Sequence, residues 1–377
     1  MALVLNEEQQ MLRDSAKTFV QESSPVGALR KLRDGGEEWS PELWSGMAEM
    51  GWTGIAIPED FGGLEFGYVG AGLVLEECGR TLAASPLLSS SFVCASLLEA
   101  VGSEAQKESL LTAIAGGETV LTLALRESDR FDPTHITMTA VADGDSYVLS
   151  GSKKHVLDGA IADTFIVVAR VADDAGSEDG LGLFLVDRDA EGLNSDTTLN
   201  ADNRRVASLG FKSVRVAADA VLGEPGASGQ ALARALDIGA VLSAAELLGI
   251  AQESFERTLD YLKERKQFGV PVASFQALQH RAAQLFCELE LCKSCVLKAL
   301  QAIDQDSPDR SQLASMAKAK VAKTSKLAVN EAVQMHAGIG MTDEFDIGFF
   351  MKRSAAACQE YGDYYFHADR FADLGGY

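Results

Sequence analysis

Positive charge is what this chain most conspicuously lacks: 33 lysines and arginines face 55 aspartates and glutamates, a formal net charge of −22 over 377 residues. A surface of that sign repels nucleic acid and anionic membranes, so neither is expected as a partner. No apolar run approaches the roughly 18 residues that would span a bilayer, and no basic segment leads into an apolar stretch near the start. The six cysteines, Cys78, Cys94, Cys287, Cys292, Cys295 and Cys358, show no zinc spacing. Cys292 and Cys295 fall three apart in an apolar helical context and read as a packed face rather than a redox pair. Reduced thiols, and with them a cytoplasmic location, are the expectation. There is neither an internal repeat nor a low-complexity linker. A hydrophobic content of 47% is enough for a large core, and the length suggests two or three subdomains.

The apolar period divides the chain into three. Residues 1–117 read as a helical domain. Asn6 can cap a helix with Met11, Leu12, Ala16, Phe19 and Val20 inward. Ser40-Pro41 opens a second helix with Leu43, Trp44, Met47 and Met50 inward and Gly51 as its stop. Further helices follow around Ala71 to Cys78 and Ser90 to Ala100. Residues 118–225 change to strand period, with short branched and aromatic runs at Val120 to Leu125, Ile136 to Ala142, Tyr147 to Ser150, Phe165 to Arg170, Leu181 to Val186 and Val206 to Val216. Asp143-Gly144-Asp145 is a hairpin signal between two of them. Residues 226–377 return to helices, Gln230 to Lys266, Phe275 to Asp304 and Ser311 to His336. The fold class is α+β: a helical domain, a mostly antiparallel β domain and a C-terminal four-helix bundle.

Between two of these long helices stands Arg265-Lys266-Gln267-Phe268-Gly269-Val270-Pro271, followed by Phe275-Gln276. A helical hairpin has no need of this chemistry. Arg265 can grip a phosphate with its planar fork, and Gln276 sits at a helix start, where unsatisfied N–H groups favour an anion. The phrase resembles the flavin-contact motif of the acyl-CoA dehydrogenase family. Gln334-Met335-His336-Ala337-Gly338-Ile339-Gly340-Met341-Thr342 is similar to the family's glycine-rich segment, and Ile57-Pro58-Glu59-Asp60-Phe61-Gly62-Gly63 to its Pro-Glu turn. The resemblance covers essentially the whole chain. It implies FAD as cofactor, an acyl-CoA as substrate, electron-transferring flavoprotein as acceptor, and a homodimer or homotetramer in which Arg265, Gln267, Phe268, Phe275, Gln276 and residues Gln334 to Gly338 reach FAD across a subunit interface.

The chain departs from the family at two places. The middle domain's Leu-Thr-Glu-Pro phrase becomes Leu125-Arg126-Glu127-Ser128, so Leu125 and Glu127 are carried over but the threonine and proline are not. The next flavin segment reads His155-Val156-Leu157-Asp158-Gly159, where His155 can stack on a flat ring and the Leu157 N–H can reach flavin N5. The family's base, a glutamate, is missing at both of its usual places, which fall on Gly362 and Gly239. Asp363 is the first candidate base, Glu360 the second and Asp237 the third. Glu246, in an apolar run, reads as a buried carboxylate with either a raised pKa or an arginine partner. The two glycines suggest room for a branched or bulky acyl chain. The C-terminal phrases look most like the small-subunit branch of the family, as in pimeloyl-CoA and steroid side-chain dehydrogenases. An alternative is therefore that the chain is a non-autonomous subunit of a heterotetramer. A third reading, binding or other chemistry on an acyl-CoA, stays open.

Overall fold

The computed structural model describes residues 3–171 and 180–377. The chain begins with the helices α1 (Glu7–Ser23), α2 (Val26–Gly35), α3 (Pro41–Glu49), α4 (Tyr68–Thr81), α5 (Ala95–Val101), α6 (Glu104–Gln106) and α7 (Thr112–Ala115). Strands β1 (Leu121–Ala124), β2 (Thr139–Asp143), β3 (Ser146–Leu157), β4 (Thr164–Val171), β5 (Leu181–Asp187), β6 (Leu193–Leu199), β7 (Arg205–Ala217) and β8 (Val221–Gly226) follow. The last part holds α8 (Gly229–Glu264), the two-residue strands β9 (Lys266–Gln267) and β10 (Val270–Pro271), α9 (Gln276–Asp304), α10 (Arg310–His336), α11 (Ile347–Ala357) and α12 (Tyr364–Leu374). The architecture is thus N-terminal helical, middle β and C-terminal helical, and these elements gather into two compact units.

One unit comprises Glu38–Gly67 and Ser85–Gly239. Its sheet runs β6-β7-β3-β2-β4-β5-β8, with β1 parallel to β4 off that path. Most neighbours are antiparallel, and Gly144 at φ 61° makes the two-residue turn of the β2–β3 hairpin. The register of β3 against β7 shifts after Leu149 and again after Lys153, so Lys154 and His155 bulge from the ladder. The expected helix from Ser90 to Ala100 begins instead as a fully buried π-helical turn, Leu87–Cys94, before α5. Within it the Ser90 hydroxyl accepts the Leu121 N–H at 3.0 Å. Ser40 caps α3 and Gly51 ends that segment at φ 76°, but Met50 is 38% exposed instead of facing inward.

The other unit comprises Met1–Glu37, Tyr68–Ala84 and Ala240–Tyr377. Asn6 and Gln9 form a reciprocal capping box at α1. Ala16 and Val20 form its buried stripe, whereas Met11 is 68% exposed because it lies outside the Ala16–Val20 face. Helices α4 and α8 cross at backbone contact: a Cβ on Gly79 would lie 2.2 Å from the Glu246 carbonyl, and one on Gly249 would lie 1.8 Å from that of Glu76. α10 packs against α9, α11 and α12.

Candidate functional site

The chain reverses between α8 and α9 through the β9–β10 hairpin, whose turn residues Phe268 and Gly269 have φ of 53° and 81°. Positive φ at both central positions matches the right-handed twist of a tight hairpin but strains a phenylalanine by about 1 kcal/mol. The Phe268 ring is 93% exposed and meets the Phe275 ring edge-on at 6.2 Å. Gln267 and Gln276 are exposed as well, and Gln267 donates to the Lys266 carbonyl. The exposed Arg265 side chain has no hydrogen bond or ion pair among the described residues.

Alongside lies a hollow of about 420 Å³ lined by Arg265, Gln267 and Met335 to Ile339. The sequence-derived residues Arg265, Gln267, Met335, His336, Ala337 and Gly338 therefore meet in one place, and Gln334 lines a neighbouring hollow with Ala337 and Gly338. Ala337 ends α10 at φ 56° and ψ −140°, and nothing lies within 4 Å of the face where Gly338 lacks a side chain. His336 is 2% exposed, stacked on Tyr261 at 4.3 Å. Its Nδ1 donates to the Ala332 carbonyl at 2.8 Å, and burial keeps its pKa below the usual value. The imidazole is therefore neutral, with Nε2 as an acceptor. The following segment is tied to α2: Arg30 and Arg33 both bond Asp343, Arg30 also bonds Asp346, and both guanidiniums lie over the Phe349 ring.

The candidate bases have different surroundings. Arg353, 3% exposed, holds Glu246 through Nε and Nη2 at 2.8 and 2.7 Å and Glu360 through Nη1 and Nη2 at 2.7 and 3.1 Å. Of the two sequence readings of Glu246, the structure shows the arginine partner. The fully buried Lys318 donates to the Ser243 hydroxyl at 2.6 Å and the Ala357 carbonyl at 2.8 Å, and burial pushes its pKa down to about 8. His367 is driven down to about 3 by burial, so it is neutral and donates from Nε2 to the Tyr361 carbonyl at 2.8 Å. Asp363 caps α12, its Oδ1 accepting the Phe366 N–H at 2.9 Å, while Oδ2 has no partner among the described residues. Gly362 precedes it at φ 103°. A Cβ there would lie 2.6 Å from the Phe366 ring and 2.8 Å from His367, so this glycine does not open the room the sequence suggested. Asp237, 1% exposed, belongs to the other unit. Sequence offers little signal for Lys318, Arg353 and His367; Lys318 shares the small, apolar Ala314–Ala322 run with Lys320, and spacing alone does not say which of the two is buried.

In the β-containing unit Glu127 spends its carboxylate on the protein. It accepts from the Thr137 N–H at 2.7 Å, the Thr137 hydroxyl, the Met138 N–H at 3.1 Å and Lys153 Nζ at 2.7 Å. Burial opposes its charge, but these bonds prevail and hold its pKa below the usual range. Lys153, 0% exposed, also donates to the Leu125 carbonyl. Segment 125–127 is thereby riveted to β2 and β3. It is joined as well to the β3 bulge, where the Lys154 N–H donates to the Arg126 carbonyl at 2.7 Å. His155 stands exposed in that bulge at φ 49°, Val156 is buried, and the Leu157 carbonyl accepts the Thr122 hydroxyl at 2.6 Å. Arg126 Nε, buried, has no hydrogen-bond partner among the described residues.

In one unit an open glycine edge, the Arg265 guanidinium and the neutral His336 ring suit the anionic and polar parts of a dinucleotide. In the β-containing unit, taken by itself, the strand bulge beside the Arg126 Nε suits a flat ring. The residues present therefore fit FAD. Comparison with known proteins agrees. Models of the N-terminal, middle and C-terminal domains of acyl-CoA dehydrogenase match residues 6–118, 126–214 and 229–359. A probable acyl-CoA dehydrogenase of Bacillus subtilis is 31% identical over 349 residues, covering 91% of each chain. A solved steroid ACAD variant superposes with a TM-score of 0.87 at 31% identity over 98% of both chains. Butyryl-CoA dehydrogenase from Megasphaera elsdenii superposes with a TM-score of 0.92 at 24% identity, a likeness of fold. The chain belongs to the acyl-CoA dehydrogenase family of FAD-dependent flavoprotein oxidoreductases.

Proposed function

We propose that the protein desaturates an acyl-CoA thioester between its α and β carbons, giving the trans-2-enoyl-CoA. The α C–H bond breaks with its proton leaving to a carboxylate, the β C–H bond breaks with its electron pair, and the C=C bond forms. FAD supplies the hydride acceptor, at N5, that no side chain can provide. Asp363 is the proposed base. Its N-cap bond to the Phe366 N–H at the start of α12 fixes the direction of the carboxylate, and Oδ2 is left to take the proton. Glu360 and Glu246 already spend both oxygens on Arg353. Leu125, Glu127, His155, Val156 and Leu157 would form the bed of the ring, with Glu127 as a brace rather than a contact. Arg265, Gln267, Phe268, Phe275, Gln276 and Gln334 to Gly338 would hold the rest of FAD in a dimer or tetramer.

The observation that carries this reading is the outward hairpin, an unpaired Arg265 and a strained, bare Phe268 beside the hollow at Ala337 and Gly338. A cytoplasmic homo-oligomer passing electrons to electron-transferring flavoprotein is the form proposed. Support for a chain that works without a second subunit type comes from domain matches running from residue 6 to 359 and from the end-to-end likeness to the Bacillus relative. The test is the visible spectrum and native mass of the purified chain with and without added FAD, followed by acyl-CoA addition with an artificial acceptor. A yellow oligomer that turns over alone is expected. A colourless protein that takes up no FAD would sink the proposal, and activity gained only on co-expression with a second dehydrogenase chain would replace it with the heteromeric one.

A further inference from the structure

The β-containing unit holds a cation, Arg126, whose Nε is buried without an acceptor among the described residues. Arg126 lies between two anchored neighbours: Leu125, whose carbonyl takes Lys153 Nζ at 3.1 Å, and Glu127, with its four internal bonds. Its own carbonyl takes the Lys154 N–H at 2.7 Å, so the backbone is fixed on three sides and the direction of the side chain with it. Nη2 donates to the Asp129 carbonyl, which orients the plane of the guanidinium. That bond goes to a backbone oxygen and neutralises nothing. Among the described residues the carboxylate that acts on this guanidinium is that of Asp129, which also pairs with Lys154 Nζ at 3.2 Å. Nε is buried with its hydrogen pointing to no acceptor among the described residues. An orphaned buried donor on a charged group costs free energy, and buried donors in folded proteins are usually bonded, to the protein, to water or to a bound molecule.

The identity of that partner follows from position. Arg126 replaces the threonine that stands between leucine and glutamate in the family's flavin phrase, and its electrostatic reach extends to His155 in the adjoining bulge. We infer that Arg126 contacts the bound flavin and stabilises the negative charge the ring gains when the substrate's hydride arrives. The charge balance is simple. The β-carbon gives up a proton and two electrons together, the α-proton goes to the base, and the ring becomes more negative by one unit. A fixed guanidinium, which stays protonated, favours that product without reorganising. The inference rests on the reading that this unit carries the flavin ring.

Sulfite tests it without any acyl-CoA. This anion adds to oxidised flavin, bleaching its visible band, and the product carries its charge on the same ring. The FAD-loaded wild type is titrated with sulfite beside Arg126→Thr, which installs the family residue, and Arg126→Lys, which keeps the charge. Loss of a fixed cation at contact range should raise the sulfite Kd about tenfold or more in Arg126→Thr, and the flavin midpoint potential should fall with it. Arg126→Lys should stay within roughly threefold of wild type, as expected for a charge effect. Loss of FAD from a folded Arg126→Thr, with Arg126→Lys still loaded, would support the same contact. The inference is overturned if Arg126→Thr holds FAD and binds sulfite as wild type does, or if both variants fold but lose FAD, since the arginine would then be shaping the loop and not stabilising charge. A wild type that takes up no FAD would overturn the underlying assignment of the flavin site itself.

Discussion

Replacing Arg353 with methionine should destabilise the protein by about 3–5 kcal/mol, the usual cost of leaving buried charges without their partner. The side chains of Arg353, Glu246 and Glu360 are only 4%, 5% and 10% exposed, so water does not replace the lost partner. Four hydrogen bonds between 2.7 and 3.1 Å disappear at once. Lys318 remains as a nearby cation, but its donors are committed to Ser243 and Ala357 and it does not reach across to take both carboxylates. The assay is urea unfolding followed by far-UV circular dichroism, with FAD in excess. Adding Glu246→Gln should recover part of the cost, because losing both partners costs less than losing one. A cost below about 1 kcal/mol would refute the claim that this cluster is a buried charge network.

Asp363→Asn should lower kcat by about a hundredfold or more while leaving stability nearly unchanged, since asparagine caps a helix as well as aspartate. Turnover within threefold of wild type would move the base to another carboxylate. Arg265→Ala should weaken FAD binding at least tenfold without changing apoprotein stability, because the side chain makes no hydrogen bond or ion pair among the described residues. Unaltered FAD affinity would return the hairpin to a simple turn. Glu77, with a side chain 7% exposed and a pKa raised by burial to about 7, contributes stability below its ordinary value near 4.5 that is lost as pH rises through about 7. Glu77→Gln should therefore be more stable than wild type at pH 8 by about 2–3 kcal/mol and no more stable near pH 4. Equal stability curves would contradict that environment.

Local rules carried the sequence reading far. The capping box at Asn6, the Ser40-Pro41 start, the Gly144 turn and the helix break at Arg265 are each encoded within a few residues, and the structure has them there. β6 was not legible because Leu193–Leu199 is largely polar and exposed, so it offers no inward face to read. β8 was missed because its Glu224-Pro225-Gly226 end reads as a loop. The π-wound turn at Leu87–Cys94 carries an apolar pattern that a normal helix would also satisfy. In the candidate site, the outward hairpin and glycine segment were readable as motifs, whereas the Glu246–Arg353–Glu360 cluster joins residues 107 and 7 positions apart, and only the shorter separation is local. Gly362 suggests empty space in the sequence, which does not show that Phe366 and His367, one helical turn later, fold back to fill it.

The most direct test of the account is anaerobic addition of an acyl-CoA series to the purified, FAD-loaded chain while its visible spectrum is recorded, with Asp363→Asn alongside. At least one acyl-CoA should bleach the flavin band of the wild type and yield the matching 2-enoyl-CoA, while Asp363→Asn binds the same thioester and stays yellow. A loaded wild type that no acyl-CoA bleaches, whatever its chain length or branching, would contradict the claim that this chain builds a complete dehydrogenase site.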